Sequence, residues 1–253
     1  MKVTRLCYDE SMRYMGSKSK IAHLILPVIL KNRKPGQFYV EPFVGSASVI
    51  TKVRPDMFIA DGPRLGADKN PYIIALHQAL QVGWKAPLHV SEHEYDSLRE
   101  KYRDGILPDE LFARARMGFI GCACSFGGIF FHGTFAAGSD RNYAAEAARS
   151  LPDENDLQGI EFVVSDYTDL LIPDGSLIYC DPPYESTSKY KYALDHVTFW
   201  QWCNALTQRD CSVFVSSYEE GIPADWRIVW KKEYYSGLCN GKKKSCTEVL
   251  ATR

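Results

Sequence analysis

The sequence predicts an α/β fold with a mostly parallel sheet, and two observations support this. Short apolar segments with strand character alternate along the chain with segments whose apolar residues recur at helical spacing, and small-residue turns join strand to helix. From about 84 to 151 the alternation gives way to a stretch richer in charged and aromatic residues, with a glycine-rich segment. We therefore expect one domain formed by residues 1–84 and 152–253, with residues 85–151 inserted as a lobe.

The first 84 residues contain two predicted strand–helix units that follow an initial helix. The predicted elements are a helix over 19–30, a strand over 37–40, a helix opening at 49–50, a strand over 57–60 and a helix over 72–81. Lys18 lies next to the start of the first helix. The small residues at 45–48 are typical of the ligand-binding corner of a doubly wound sheet.

The alternation resumes after the inserted lobe. The predicted elements are strands over 161–166 and 176–180, a helix over 197–207, a strand over 212–216, and two terminal strands over 227–230 and 248–252. Lys242-Lys243-Lys244 separates the last two strands, so we predict a terminal hairpin with a basic connection.

Charge is balanced over the whole chain. Lysine and arginine number 30 against 31 acidic residues, which gives a formal net charge of -1. This balance excludes a general attraction to polyanions, so a nucleic-acid surface must be local. The candidates for phosphate contacts are Arg141, Arg149, Lys189, Lys191, Lys242, Lys243 and Lys244. A solvated, charged surface explains any one of them equally well.

The eight cysteines are scattered and form no pair of C-x-x-C knuckles, so neither a zinc site nor a disulfide framework is predicted. We expect buried or free thiols in a reducing cytosol, and no bound metal. The amino terminus lacks the apolar core of a signal peptide, and no run of about 18 apolar residues occurs. A cytoplasmic protein without a membrane partner is therefore expected.

The segment Asp181-Pro182-Pro183-Tyr184 follows a predicted strand and so lies at the carboxyl end of the sheet, where open α/β folds bind ligands. Because proline fixes φ, the loop can hold the Asp181 carboxylate and the Pro182 carbonyl as preset acceptors. These acceptors can pair with both N–H groups of an exocyclic amine and aim its lone pair at a sulfonium methyl group. They would stabilise the charge that develops on nitrogen, and Tyr184 can stack on a base that has left the duplex. The segment therefore indicates methylation of an exocyclic amine rather than a rigid turn.

The turn Glu41–Ser48 lacks the G-x-G-x-x-G pattern of dinucleotide-binding folds. S-adenosylmethionine carries no phosphate and does not need that pattern. It needs a close backbone approach, which Gly45 and Ser46 permit, and an acceptor for its ammonium group, which Glu41 offers. Phe43 lies in the same turn and is expected to contact the cofactor. The structural alternative is a tight strand-to-helix turn capped by Ser46.

Two aspartates complete the predicted cofactor site. Asp68 lies about 23 residues beyond Gly45, close to the spacing at which a doubly wound fold places an acid on ribose hydroxyls. Asp68 can also cap the helix over 72–81. Asp61 is the alternative candidate for the contact with the ribose hydroxyls. Asp166, at the end of a predicted strand, can accept from the cofactor's adenine amino group or serve as a turn aspartate.

Phenylalanines enrich the glycine-rich part of the lobe. Phe130, Phe131 and Phe135 are predicted to be either core residues or wedges that help a base out of the stack.

Together these segments resemble the Dam-like (D12 class) family of DNA adenine N6-methyltransferases over most of the chain. The resemblance is carried by Arg13-Tyr14-Met15-Gly16-Ser17-Lys18, Glu41-Pro42-Phe43-Val44-Gly45, Asp68-Lys69-Asn70, Phe162-Val163-Val164-Ser165-Asp166-Tyr167 and Asp181-Pro182-Pro183-Tyr184. Ser46 stands where family members often have a second glycine, and residues 125–142 resemble the family's target-recognition region only loosely.

For the fold, the resemblance implies a seven-stranded, Rossmann-like methyltransferase sheet with one antiparallel edge strand and an inserted target-recognition lobe. For the cofactor, it implies S-adenosylmethionine, with Tyr14 and Lys18 at the methionine end, Asp68 at the ribose and Asp166 at the adenine.

For the substrate, the resemblance implies that Asp181 and Tyr184 hold a flipped adenine of double-stranded DNA, with Pro182 and Pro183 beside it. The expected place of action is the cytoplasm of a bacterial cell or a phage-infected host. A cognate restriction endonuclease, acting separately, is the implied partner.

Alternatives of two classes stay open. The same acceptor geometry suits N4 of cytosine or an adenine in RNA, although cytosine N4 enzymes tend to have serine in place of Asp181. The other class is a catalytically inactive protein that holds the cofactor or DNA. The intact Asp181, Tyr184, Glu41 and Asp68 argue against it.

Overall fold

The computed structural model describes residues 17–54, 62–138, 141–184, 194–239 and 242–253, and side chains are described outside 234–246. The chain forms two compact units. A sheet unit consists of the described residues of Ile21–Asn70 and Gly159–Arg253, and a helical unit consists of 17–20 and the described residues of Pro71–Gln158.

The sheet unit contains one seven-stranded sheet. Its strands are β1 (Tyr39–Glu41), β2 (Arg64–Asp68), β3 (Ile160–Val164), β4 (Leu177–Cys180), β5 (Ser212–Tyr218), β6 (Arg227–Cys239) and β7 (Lys242–Thr252). Their order across the sheet is β3-β2-β1-β4-β5-β7-β6. The first five strands pair in parallel, which confirms the predicted mostly parallel α/β fold.

The antiparallel strand is β7, and it does not lie at the edge. It pairs antiparallel with β5 on one side and with β6 on the other. The prediction that the antiparallel strand lies at the edge is therefore wrong. The second strand of the hairpin, β7, pairs with β5, and β6 is the edge strand.

Burial on both faces explains the composition of the central strands. Every residue of β1 and of β4 is buried, as expected for parallel strands covered on both sides. The sheet unit also contains α1 (Ala22–Ile29) and α7 (His196–Thr207). Asp195 caps α7 by accepting from the backbone N–H groups of Val197 and Thr198. The core residues include Val40, Ile178, Phe199, Val213, Val215 and Ala251.

The strand order reverses direction between β1 and β4. From β1 the chain proceeds outward to β2 and β3, and then returns to β4 on the other side of β1. Such a switch point opens a crevice at the carboxyl ends of the two strands. The predicted motifs begin where β1 and β4 end. Glu41–Ser48 starts with the last residue of β1 and Asp181–Tyr184 directly follows β4, so the topology brings the two motifs to one edge of the sheet.

The helical unit consists of α2 (Pro71–Gln81), α3 (Glu92–Arg103), α4 (Leu111–Ala123), α5 (Tyr143–Arg149) and α6 (Glu154–Leu157). Gly118 on α4 permits close packing on α2, since a Cβ there would lie 2.2 Å from the Tyr72 carbonyl oxygen. Among the described residues, no helix is both long and apolar enough to cross a membrane.

Two predicted elements differ from the structure, and a third cannot be compared with it. The predicted strand over 57–60 lies outside the described residues, and the strand that pairs with β1 is Arg64–Asp68. The helix predicted to open at 49–50 is a single 3-10 turn, Ile50–Lys52. Lys242, Lys243 and Lys244 do not form the hairpin connection, because they are the first residues of β7.

Candidate active site

Three carboxylates stand at the carboxyl ends of neighbouring parallel strands. Glu41 is the last residue of β1, Asp68 is the last residue of β2, and Asp181 directly follows β4. Since β2, β1 and β4 are adjacent in the sheet, these acids lie along one edge.

Glu41 is held in a buried, polar pocket. Its side chain is 3% exposed, and its Oε1 accepts a 2.7 Å hydrogen bond from the Tyr39 hydroxyl. Burial, assisted by the negative charge of Asp181, raises the pKa of Glu41 to about 8, although the Tyr39 hydrogen bond and the charge of Lys52 oppose the rise. Glu41 is therefore largely protonated at neutral pH until a cation pairs with it.

Asp68 organises the turn that follows β1. Its Oδ2 accepts from the backbone N–H of Gly45 at 3.1 Å, and its Oδ1 accepts from the backbone N–H of Asn70 at 2.8 Å. Gly45 has a φ of +45°, in the left-handed region that glycine adopts without strain. Burial raises the pKa of Asp68, and the two backbone donors oppose that rise. One carboxylate thus connects the ends of β1 and β2.

Asp166 lies two residues beyond β3 and is paired. Its Oδ2 accepts from Lys69 Nζ at 2.7 Å, and its Oδ1 accepts from both the backbone N–H and the hydroxyl of Thr168. Although partial burial raises the pKa of Asp166, the donors from Lys69 and Thr168 lower it overall. The predicted turn-aspartate role is confirmed, and Lys69 joins β2 to this turn.

Asp181 and Tyr184 are brought together with an acid from the end of the chain. The Tyr184 hydroxyl lies 3.3 Å from Asp181 Oδ1 and 3.1 Å from Oε1 of Glu248 on β7. The Tyr184 ring packs edge-on against Tyr218, with centroids 4.7 Å apart. Pro182, between them in sequence, is buried and holds the backbone of the segment.

A buried tyrosine, Tyr179 of β4, lies near the same acids. The Tyr179 hydroxyl lies 2.8 Å from Ser216 Oγ, and both side chains are buried. Burial raises the pKa of Tyr179 well above its ordinary value, and the charges of Asp181, Glu41 and Glu248 raise it further. The Tyr179 phenol therefore keeps its proton beside the acids.

Phe43 belongs to an aromatic cluster below the turn. Its ring lies 5.3 Å from that of Tyr167 and 5.7 Å from that of Phe199, between centroids. Ser46 is half-buried in the turn, and Lys18, before α1, is 7% exposed.

Several predicted residues cannot be placed in this arrangement. Tyr14, Lys189 and Lys191 lie outside the described residues, as does Asp61, the rival of Asp68. The side chains of Lys242, Lys243 and Lys244 are likewise outside them, although their backbone belongs to β7.

Residues of the helical unit were also singled out by sequence. Arg141 is exposed and forms a two-point ion pair with Glu146. Phe131 is 2% exposed within an aromatic cluster that includes Phe130, so the wedge interpretation is wrong for Phe131. Phe126, beside Gly127 and Gly128, is 72% exposed.

Four residues near the site, Tyr39, Lys69, Tyr218 and Glu248, were not predicted from the sequence as functional. Tyr39 had a signal, since residues two apart in a strand lie on the same face and Glu41 follows it by two. Glu248 offered none, because its place beside Tyr184 depends on a pairing of β7 with β5 that is distant in sequence. In the part of the chain that is described, no group of three His, Cys, Asp or Glu residues could hold a metal ion.

Similar solved structures include the rRNA methyltransferase AviRa from Streptomyces viridochromogenes, which has 13% sequence identity and a TM-score of 0.40 over 99% of this chain and 88% of that one. TrmN from Thermus thermophilus has 12% identity and a TM-score of 0.38, over 93% of this chain and 48% of that one. No curated protein matches the sequence. The model of the family described as D12 class N6 adenine-specific DNA methyltransferase matches residues 14–202.

Proposed function

Since the chain belongs to the D12 class N6 adenine-specific DNA methyltransferase family, we propose specific roles for its residues in that reaction. The protein is an S-adenosylmethionine-dependent enzyme that methylates N6 of adenine in DNA. This assignment favours adenine N6 over the cytosine N4, RNA and inactive-protein alternatives. The observation that carries the residue roles is the row of acids Asp68, Glu41 and Asp181 at the ends of three adjacent strands.

The acids at β1 and β2 suit the cofactor. Glu41 is a buried carboxyl with a raised pKa, and an ammonium group would pair with it and favour its charged form. The backbone turn at Gly45 and Ser46 permits close approach, and Asp68 at the end of the next strand suits ribose hydroxyls. Tyr14, Lys18 and Phe43 are proposed to complete this site. When bound, S-adenosylmethionine supplies an electrophilic methyl group on a sulfonium.

Asp166 is proposed to receive the cofactor's adenine amino group. Its Oδ2 is bonded to Lys69 and its Oδ1 to Thr168 in this structure. Each carboxylate oxygen has a second lone pair, so the ion pair and an amine contact are compatible.

The acid that follows β4 suits the target base. Asp181 and the Pro182 carbonyl are proposed to accept from the two N–H groups of the adenine amine, which localises its lone pair. This arrangement stabilises the positive charge on nitrogen in the transition state. Tyr184 and Pro183 are proposed to contact the base after it leaves the helix.

We propose double-stranded DNA as the substrate and residues 85–151 as the target-recognition lobe of a catalytic domain formed by 1–84 and 152–253. The phosphate contacts are assigned to Arg141, Lys189, Lys191, Lys242, Lys243 and Lys244. The proposed place of action is the cytoplasm of a bacterial cell or a phage-infected host. A cognate restriction endonuclease acting separately is the proposed partner.

One experiment tests the function directly. The protein is expressed in cells that lack adenine methylation, and modified bases are mapped by single-molecule sequencing of their DNA. The expected result is N6-methyladenine at one sequence motif. Methylation of cytosine alone, or unmodified DNA with an active cofactor site, would contradict the proposal.

A further inference from the structure

The Tyr184 hydroxyl lies between two carboxylates. It is 3.1 Å from Glu248 Oε1 and 3.3 Å from Asp181 Oδ1. Burial raises the pKa of Tyr184 well above its ordinary value, and the charges of Asp181 and Glu248 raise it further, so the phenol keeps its proton. A phenol has a single proton, so the two carboxylates compete for one hydrogen bond.

Glu248 is held by the sheet rather than by a loop. It lies on β7 directly opposite Tyr218 on β5, and such antiparallel partners share one face of the sheet. The ring of Tyr184 packs against Tyr218 at an interplanar angle of 71°. One cross-strand pair therefore contacts both the ring and the hydroxyl of Tyr184.

We propose that Glu248 is a positioning residue for methyl transfer, which accepts the Tyr184 hydroxyl proton and leaves the Asp181 carboxylate for the target amine. The inference rests on the proposed function of Asp181. Without Glu248, the phenol would donate its single proton to Asp181 alone. The carboxylate would keep lone pairs for the amine, but this bond would draw off part of its charge and weaken it as an acceptor. The contact between Asp181 and the amine acts mainly in the transition state. Removal of Glu248 should therefore lower kcat and leave cofactor affinity unchanged.

The test measures methyl transfer to adenine-unmethylated DNA together with cofactor affinity by calorimetry. Glu248→Ala is expected to lower kcat about tenfold, the effect of losing one hydrogen bond to a charged group, with cofactor affinity unchanged. Glu248→Gln keeps an acceptor oxygen and should recover most of the lost rate. If Glu248→Ala lowers Tm strongly, Glu248→Leu provides a bulkier side chain without an acceptor and should show the same loss.

A double-mutant cycle separates positioning from general structure. Tyr184→Phe keeps the ring and removes the hydroxyl, so Glu248→Ala should cause no further loss in that background. Glu233→Ala is the matched control, because Glu233 is an exposed glutamate on the neighbouring strand β6. Its kcat should equal that of the unsubstituted enzyme.

Three outcomes would overturn the inference alone while DNA methylation stands. The first is an unchanged kcat in both Glu248→Ala and Glu248→Leu. The second is that Glu248→Ala lowers kcat as much in the Tyr184→Phe background as it does alone. The third is that Glu248→Gln lowers kcat as much as Glu248→Ala. Absence of DNA adenine methylation by the unsubstituted protein would overturn the proposed function, and the role of Glu248 with it.

Discussion

The carboxylate of Asp68 accepts a hydrogen bond from the Gly45 amide across 3.1 Å, and thereby ties the end of β2 to the turn after β1. These two residues are 23 positions apart in sequence. The same carboxylate also holds the backbone of Asn70. Asp68 therefore shapes the proposed cofactor site even before any ligand is bound.

Asp68→Ala is expected to weaken the affinity for S-adenosylmethionine about tenfold or more, since the turn and a ribose acceptor are lost together. DNA affinity should change little. Calorimetry with the cofactor and a DNA-binding assay measure the two effects separately. Asp68→Asn keeps one acceptor for Gly45, so its cofactor affinity should lie between those of Asp68→Ala and the unsubstituted protein. Unchanged cofactor affinity in Asp68→Ala would move the ribose role to Asp61.

Glu41 should make cofactor affinity depend on pH. Burial raises its pKa to about 8 in the free protein, and pairing with an ammonium group would lower it, so binding releases a proton below pH 8. Affinity is expected to rise about tenfold between about pH 6 and 7, with proton release measured by calorimetry in buffers of different ionisation enthalpy. Glu41→Gln should flatten this profile, whereas Glu161→Gln, at an exposed position of β3, should not. A flat profile in the unsubstituted protein would exclude the ammonium contact.

Asp181→Ala should abolish most methyl transfer. Removing one preset charge-stabilising group at a reacting centre costs about 10²-fold or more in kcat. The half-buried side chain lies at the end of a strand, so the far-UV circular dichroism and the cofactor affinity should be largely preserved. Turnover on DNA that survives the substitution would refute the role assigned to Asp181.

Gly66→Ala should destabilise the sheet unit. A Cβ at this position would lie 2.9 Å from Val44 Cγ2 and 3.0 Å from the Phe162 ring, which is too close for an unstrained contact. The expected loss is about 1–3 kcal/mol in the free energy of unfolding, measured by urea denaturation. Gly138→Ala is the control, since Gly138 is exposed and a Cβ there meets its nearest atom at 3.4 Å. Equal stability of the two variants would argue against this close packing.

Simultaneous replacement of Lys242, Lys243 and Lys244 by alanine should weaken DNA binding at low salt. If each lysine contacts a phosphate, the slope of log K against log salt should become shallower by about 0.9 per contact. Binding is measured at several salt concentrations on one duplex. Lys31→Ala with Lys34→Ala, at two exposed positions before β1, should leave the slope unchanged. An unaltered slope in the triple variant would assign the phosphate contacts elsewhere.

The acids of the site were predictable where a strongly apolar strand precedes them. Asp181 follows β4, whose four residues are all buried, and the two prolines after it mark where the strand ends. Glu41 was predicted as a cofactor residue for the same reason. Its partner Tyr39 was overlooked because the tyrosine was counted only as an apolar strand residue.

The second strand was not predictable from its pattern. β2 reads Arg64-Leu65-Gly66-Ala67-Asp68, with one large apolar side chain, and it is buried because small residues let Val44 and Phe162 pack closely. Periodicity detects large apolar residues and not the space around small ones. The Lys69–Asp166 pair and the Tyr184–Glu248 contact likewise depend on strand neighbours that sequence spacing does not specify.

The adjacency of β1 and β4 has a consequence for the kinetics of folding. The side chain of Gln37 donates to the carbonyl of Gly175, which is 138 residues later, and the two strands pair just beyond these residues. Closing a flexible loop of that length costs about 4 kcal/mol in chain entropy plus a constant. Early collapse of the helical unit within that interval would shorten the flexible part and reduce the cost. The rate at which β1 and β4 pair during folding is therefore expected to depend on the helical unit, which contributes no strand to the sheet.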